Sequence, residues 1–330
     1  MWAAYKLIYK AISPIHIGWH TLGYIKLTRY YIPGRNIWAA FTENTVHSLQ
    51  IDSEKINNIY IEVGKMLKED ILVSYFYPCI GEQDKKLDIP LLPKYSNKGF
   101  TIGKYTKSEF ENKFIKSYGQ TAIVPESNTA EDESLHESEY ISPTIDDDGK
   151  IKQVFFVGYV FLKNEQIDLP INNKVIGWDS GDIKLKEAIT ELFVGGDRKY
   201  GWGRLSLDLE KTNGVENRTL FDKYELKLDN GNCPVIEINN DSDIAIPAHL
   251  PVSNNIKLKG DIEPLIGREY EVGKDSNHKN SNRLGSGQKI NSFIENDKVF
   301  WVPGSSIVTE KSPIKLQISE YGILREINEK

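Results

Sequence analysis

Apolar and polar residues alternate from Tyr5 to Ile12, and Pro14 follows. That period of two predicts a first β-strand. A turn at Pro33-Gly34 then opens a stretch where Ile37, Ala40, Phe41, Thr45 and Leu49 recur at helical spacing, which predicts a first helix. Ile71–Ile80 reads as a second strand. KQVFFVGYVFLKN, Lys152–Asn164, is the strongest strand signal in the chain. GDIKLKEAITELFVGG, Gly181–Gly196, sets Leu185, Ala188, Ile189, Leu192 and Phe193 on one helical face with two glycines at its end, which predicts a second helix. WGRLSLDLEK then returns as a strand, with Leu205, Leu207 and Leu209 alternating.

The predicted order is β-α-β, a long irregular insertion over roughly residues 81–150, then β-α-β. This is the split βαβ arrangement of an α+β, ferredoxin-like or RRM-like domain, placed at residues 1–210. Residues 211–330 form a β-rich C-terminal domain, read as either a second, degenerate ferredoxin-like half or a β appendage. It opens with YELKLDNGNCPVIEIN, two alternating runs around Asn230-Gly231, which is a hairpin signal. Strand-like runs follow at Asn255–Leu258 and Val299–Val302. Gly273–Ser292, almost without apolar residues, is expected to be a mobile loop.

Composition narrows the class. The 330 residues are 39% apolar and 27% charged, which suits a chain with a sizeable core. No apolar run approaches the ~18–20 residues a bilayer span needs, so no membrane segment is expected. The opening MWAAYKLIYKAISPIHIG has charges among its apolar residues and does not read as a signal peptide. Cys79 and Cys233 are too far apart to suggest a disulfide framework or a CxxC metal site, and a cytoplasmic address is the expectation. No cofactor or metal is expected.

The net charge of −6 argues against a generic polyanion binder, but it hides two blocks. Lys94–Gln120 carries six lysines against two glutamates, and Glu126–Asp148 carries nine acids without Lys or Arg. Such blocks are usually solvated loops. The basic one also holds Tyr95, Phe100, Tyr105, Phe110, Phe114 and Tyr118. Lysines for phosphates with flat faces for bases suit a nucleic-acid strand, and the same aromatics equally suit the core of an inserted element.

The densest chemistry lies in LFVGGDRKYGWGRLSL, Leu192–Leu207. Gly195, Gly196, Gly201 and Gly203 allow backbone N–H groups to approach a ligand closely. Arg198, Lys199 and Arg204 add cations for phosphate, and Tyr200 and Trp202 offer stacking faces. The segment lacks GxxxxGK[ST], and its predicted helix-to-strand order is the reverse of a nucleotide-binding loop. The plainer alternative is a tight connection whose Gly195-Gly196 pair caps a helix.

A glycine-rich loop of this form, after the second helix of a ferredoxin-like domain, resembles the signature of the CRISPR-associated RAMP superfamily. AISPIHIG (Ala11–Gly18) resembles that family's first-strand ending, and YYIPGRNIWAAFTE, ending at Glu43, its IPG turn and helix. TAIVPESNTAEDESLHESEYISP (Thr121–Pro143) resembles the segment before its third strand, and FWVPGSSIV (Phe300–Val308) is similar to a motif in two-domain members. The resemblance implies CRISPR RNA and other effector subunits as partners, with target RNA as a further one, in antiviral defence. It implies that the glycine loop contacts RNA, with Arg35, Lys26 and Arg29 as secondary contacts.

Two catalytic forms exist within that resemblance. Backbone subunits of type III effectors use an aspartate between the first strand and the IPG turn, but HIGWHTLGYIKLTRYYIPG holds no Asp or Glu. Processing endoribonucleases use metal-independent acid–base chemistry, for which His16 and His20 are the candidates, with His47 further along. Those enzymes carry the glycine loop near the C-terminus, whereas about 125 residues follow it here. The expectation is a non-catalytic, RNA-binding type III-like subunit that holds the guide near its 5′ tag. The alternative is a metal-independent endoribonuclease using His16 or His20.

Overall fold

A computed structural model describes residues 2–49, 56–81, 87, 89–97, 99–164, 166–168, 174–215, 218–229, 233–238, 244–265, 270–271, 289–290, 299–308 and 313–327. Asn230-Gly231 and nearly all of 273–292 lie outside these residues.

The first strand, β1 (Ala3–Ala11), forms where the alternation predicts it. It is followed by a hairpin of β2 (Gly18–Leu22) and β3 (Ile25–Thr28). Helix α1 (Gly34–Ser48) buries Ile37, Ala40, Phe41 and Thr45, the stripe read from the sequence. A second helix, α2 (Ile56–Asp70), packs beside it through Ile59, Val63 and Leu67. The strand expected over Ile71–Ile80 is two strands, β4 (Ile71–Val73) and β5 (Tyr77–Gly81). Between them Ser74 Oγ accepts the Tyr159 N–H, and Phe76 pairs with Ile32 instead of the sheet.

The main sheet is antiparallel. Its centre is Lys150–Leu162 paired with β1 over eight registered positions from Ala3↔Leu162 to Lys10↔Phe155. On the far side of Lys150–Leu162 lie Thr144–Asp147, β5 and β4 in succession along one edge. On the far side of β1 lies Arg204–Leu207, and beyond it Glu191–Phe193. The chain is therefore α+β and rich in strand.

Both faces of this sheet are covered, which explains why VFFVGYVFL is apolar without alternation. Val154, Phe156, Val160 and Leu162 point into a core with Leu7, Tyr9, Ala11 and the two helices. Tyr159 and Phe161 point the other way, into a core with Leu226, Ile236, Leu316 and Ile318. Those four belong to a five-stranded antiparallel sheet that includes Tyr224–Lys227, Val235–Ile238 and Ile314–Ile318. The region after Lys211 is thus β-rich and shares an apolar core with the back of the main sheet.

Two expectations change. The insertion is folded, not irregular. Helix α3 (Lys107–Phe114) starts with a reciprocal capping box between Thr106 and Glu109. Phe110 and Phe114, fully buried and stacked at 4.4 Å, are its core together with Tyr105. The insertion's strands Ile115–Gln120 and His136–Ile141 extend the β2–β3 hairpin into a four-stranded sheet. Acids of the second block are partly paired: Asp147 bonds Lys152 at 2.7 Å and Lys113 at 3.0 Å.

The second change concerns Gly181–Gly196. Only α4 (Leu185–Ala188), a single turn, is helical. Glu191–Phe193 is a strand that pairs with Arg204–Leu207, Leu192 opposite Leu205. The edge of the sheet has backbone groups to satisfy, and pairing there overrides the helical spacing of the apolar residues.

Candidate nucleic-acid interface

The glycine segment is consequently the loop of a β-hairpin. Asp197 enters it in the left-handed region (φ 56°), Arg198–Tyr200 make one 3-10 turn, and Gly201 leaves it at φ 83°. Tyr200 N–H donates to Asp197 O at 2.8 Å and Gly201 N–H to Arg198 O at 2.9 Å.

The base of the loop is fastened to the segment after β1. Gly196 N–H donates to His16 O (2.9 Å), Gly203 N–H to Pro14 O (2.8 Å) and Arg204 N–H to Ser13 Oγ (2.9 Å). A Cβ on Gly195 would lie 2.0 Å from His16 O, and one on Gly203 would lie 2.1 Å from Val194 O. These two glycines give clearance between backbones.

This corrects the expected phosphate cradle. The N–H groups of Gly196, Gly201 and Gly203 already donate to carbonyls of the chain, and an amide has one proton to give. The glycines shape the loop, and its side chains are what reach outward. Arg198 and Lys199 are exposed, and Tyr200 is 56% exposed with Lys199 Nζ 4.9 Å above its ring.

Trp202 does the opposite. It is buried against Tyr140, centroids 5.0 Å apart, and Tyr118 at 6.3 Å. It packs the loop onto the insertion's sheet and is not an open stacking face. Arg198 pairs with Glu43 of α1 at 2.5 Å, and Arg204 meets Glu191 through both Nε and Nη2. All four side chains are solvent-exposed, which screens both pairs.

The other expected contacts scatter. Lys26 is exposed on β3. Arg35 sits half-buried in the first turn of α1, over the Tyr321 ring at 5.5 Å, about 12 Å of helix from Glu43. Arg29 is largely buried: its side chain is 15% exposed and bonds Glu263 at 2.6 Å and the Tyr31 hydroxyl at 3.1 Å.

Of the candidate histidines, His16 is buried and its Nδ1 meets Glu139 O at 2.6 Å, which makes it a tether. His20 is exposed on β2 beside Trp19, and His47 is exposed at the end of α1.

A polar cluster that sequence reasoning missed surrounds Arg29. Glu263 Oε1 also meets His249 Nε2 at 2.6 Å, Glu263 Oε2 accepts Trp19 Nε1–H at 2.9 Å, and Tyr75 Oη meets His249 Nδ1 at 2.6 Å. Burial alone would raise the Glu263 pKa, but the hydrogen bond from His249 and the Arg29 charge override it and hold the carboxyl at about 2. Burial lowers the pKa of His249. The ring is thus neutral, so Nε2 carries the proton given to Glu263 and Nδ1 accepts from Tyr75. No local pattern marks this cluster, since Arg29 and Glu263 are 234 residues apart.

Among the described residues no helix is long and apolar enough to cross a membrane, and no three His, Cys, Asp or Glu gather as a metal site.

No protein-family model matches the chain, and a search of curated proteins finds no match. Among solved structures it is similar to chains of a type III-B Cmr-beta assembly studied by cryo-EM. One, bound to cognate target RNA, is 13% identical at a TM-score of 0.35 over 62% of this chain and 96% of that one. Another, bound to cognate target RNA and AMPPnP, is 8% identical at 0.46 over 92% and 85%. A third, from the apo state, is 13% identical at 0.39 over 66% and 98%.

Proposed function

We propose that this chain is a cytoplasmic, RNA-binding, non-catalytic subunit of a type III-like CRISPR effector that holds the guide RNA backbone near its 5′ tag in antiviral defence. The observation that carries the reading is the hairpin tip. Arg198, Lys199 and Tyr200 project from a loop whose base is bonded to Pro14 and His16, so two cations and one aromatic face are held outward on a fixed mount. That combination suits a single strand: charge for phosphates and a ring for a base.

Three other features support it. The glycine loop and the three stretches Ala11–Gly18, the IPG segment ending at Glu43 and Thr121–Pro143 occur in family order along the chain. The order Arg204–Leu207, β1, Lys150–Leu162, β4/β5 places the last strand beside the first, as a ferredoxin-like or RAMP domain does, with its second helix reduced to α4. Leu22 and Tyr24 in the β2–β3 hairpin, with Ile123 and Leu135 in the insertion, are exposed and suit neighbouring effector subunits.

The non-catalytic part of the proposal is supported by the burial of His16 and by the absence of any acid in residues 16–34. The test is anisotropy of a labelled repeat-derived RNA with the pure chain in EDTA. Binding without cleavage is expected. Site-specific cleavage lost in His20→Ala or His16→Ala would instead establish the endoribonuclease.

A further inference from the structure

We infer that the cleft between β2, the insertion and the C-terminal region is a pocket for one unstacked nucleobase of the bound RNA strand. This rests on the RNA reading above. The cleft measures about 330 Å³, within the range that takes small organic ligands.

Its walls are aromatic and come from separate parts of the chain. Trp19, 40% exposed, and His20 come from β2, with ring centroids 4.5 Å apart. Tyr95 and Phe100, 4.6 Å apart, come from the insertion. Aromatic rings that line one cleft are what an unpaired base can stack on. Lys107, half-exposed at the same cleft, places an ammonium where a neighbouring phosphate can meet it.

The C-terminal region supplies the polar end. Asp261 accepts the Tyr95 hydroxyl at 2.7 Å, and a carboxylate has about four acceptor positions, so it can take further N–H donors. Glu263 is locked by Arg29, His249 and Trp19, and the last of these bonds also fixes the angle of the indole. The pocket is therefore ordered before a base arrives, which lowers the entropy cost of binding. Ionised carboxylates accept and never donate. Guanine presents two adjacent N–H donors on its pairing edge, whereas uracil flanks its one donor with two carbonyl oxygens. Guanine is the favoured occupant and uracil the least favoured.

The experiment titrates the full chain with repeat-derived single-stranded RNA in which each nucleotide in turn is abasic, with GMP as a free-nucleotide control. One abasic position is expected to weaken binding about tenfold, as loss of one stacked base does. Trp19→Ala should weaken the intact RNA equally and remove sensitivity to that position. Trp19→Phe keeps a stacking face and should retain most of the affinity, with circular dichroism confirming the fold of both variants. Salt-dependent RNA binding that ignores every abasic position and Trp19→Ala would overturn the pocket and leave the RNA reading standing. GMP binding without RNA binding would overturn the RNA reading and the assignment to a strand together.

Discussion

Gly195 and His16 lie back to back with no room for a methyl group between them. A Cβ at Gly195 would stand 2.0 Å from the His16 carbonyl oxygen, the same oxygen that accepts the Gly196 N–H at 2.9 Å. Gly195 also sits at φ 76°, a conformation that costs other residues roughly 1–2 kcal/mol. Gly201 shares that conformation at φ 83°, but open space surrounds its missing side chain. Gly195→Ala should therefore cost about 3 kcal/mol and Gly201→Ala only about 1 kcal/mol in urea unfolding. Equal costs would mean that clearance against His16 is not what the glycine provides.

Arg198 and Lys199 should act on RNA and not on folding. Their exposed contacts stabilise the chain little. Replacing both by Ala should leave the urea midpoint unchanged, weaken RNA binding at low salt, and reduce the slope of log K against log salt by about one per residue. An unchanged slope would remove the hairpin tip from the RNA contact and favour a protein-only adaptor.

Tyr200 and Trp202 are expected to separate cleanly. Tyr200→Ala, at an exposed tip, should shift stability by less than about 0.5 kcal/mol while weakening RNA binding. Trp202→Ala empties a buried site against Tyr140 and should cost about 3 kcal/mol or more. Chemical denaturation and RNA titration of the two variants check this, and the reverse pattern would mean that Trp202 is the stacking face.

The buried Glu263 cluster makes stability fall with acid. Its folded pKa of about 2 lies below the ordinary 4.5, so its contribution is complete above about pH 4.5 and is lost as pH falls toward 2. His249 works with the same sign at higher pH. Its folded pKa is lowered from 6.5, so the unfolded chain gains the proton first as pH drops below that value. Stability should decline from pH 7 downward in two stages. Glu263→Gln should start about 3 kcal/mol lower at pH 7 and show a shallower acid limb below pH 4.5. The limb should not vanish, because Asp147, held at about 2 by hydrogen bonds from Lys152 and Lys113, adds the same sign. An unaltered limb would show that the cluster does not couple to folding.

What the residues determine on their own is local. β1, α1 and Lys150–Leu162 were legible because a period of two, a period of 3.6 and an unbroken apolar run are each written in consecutive residues. The presence of a glycine loop rich in cations and aromatics was legible for the same reason. Tertiary structure decided what those residues do. The apolar spacing of Leu185, Ile189 and Leu192 fits a helix, but an open sheet edge beside Arg204–Leu207 drew Glu191–Phe193 into a strand. Trp202 found Tyr140, Gly195 found His16 and Arg29 found Glu263, and none of these partners is near in sequence. Burial and charge pairing depend on which distant segments the folded core brings together, and no window of neighbouring residues contains that information.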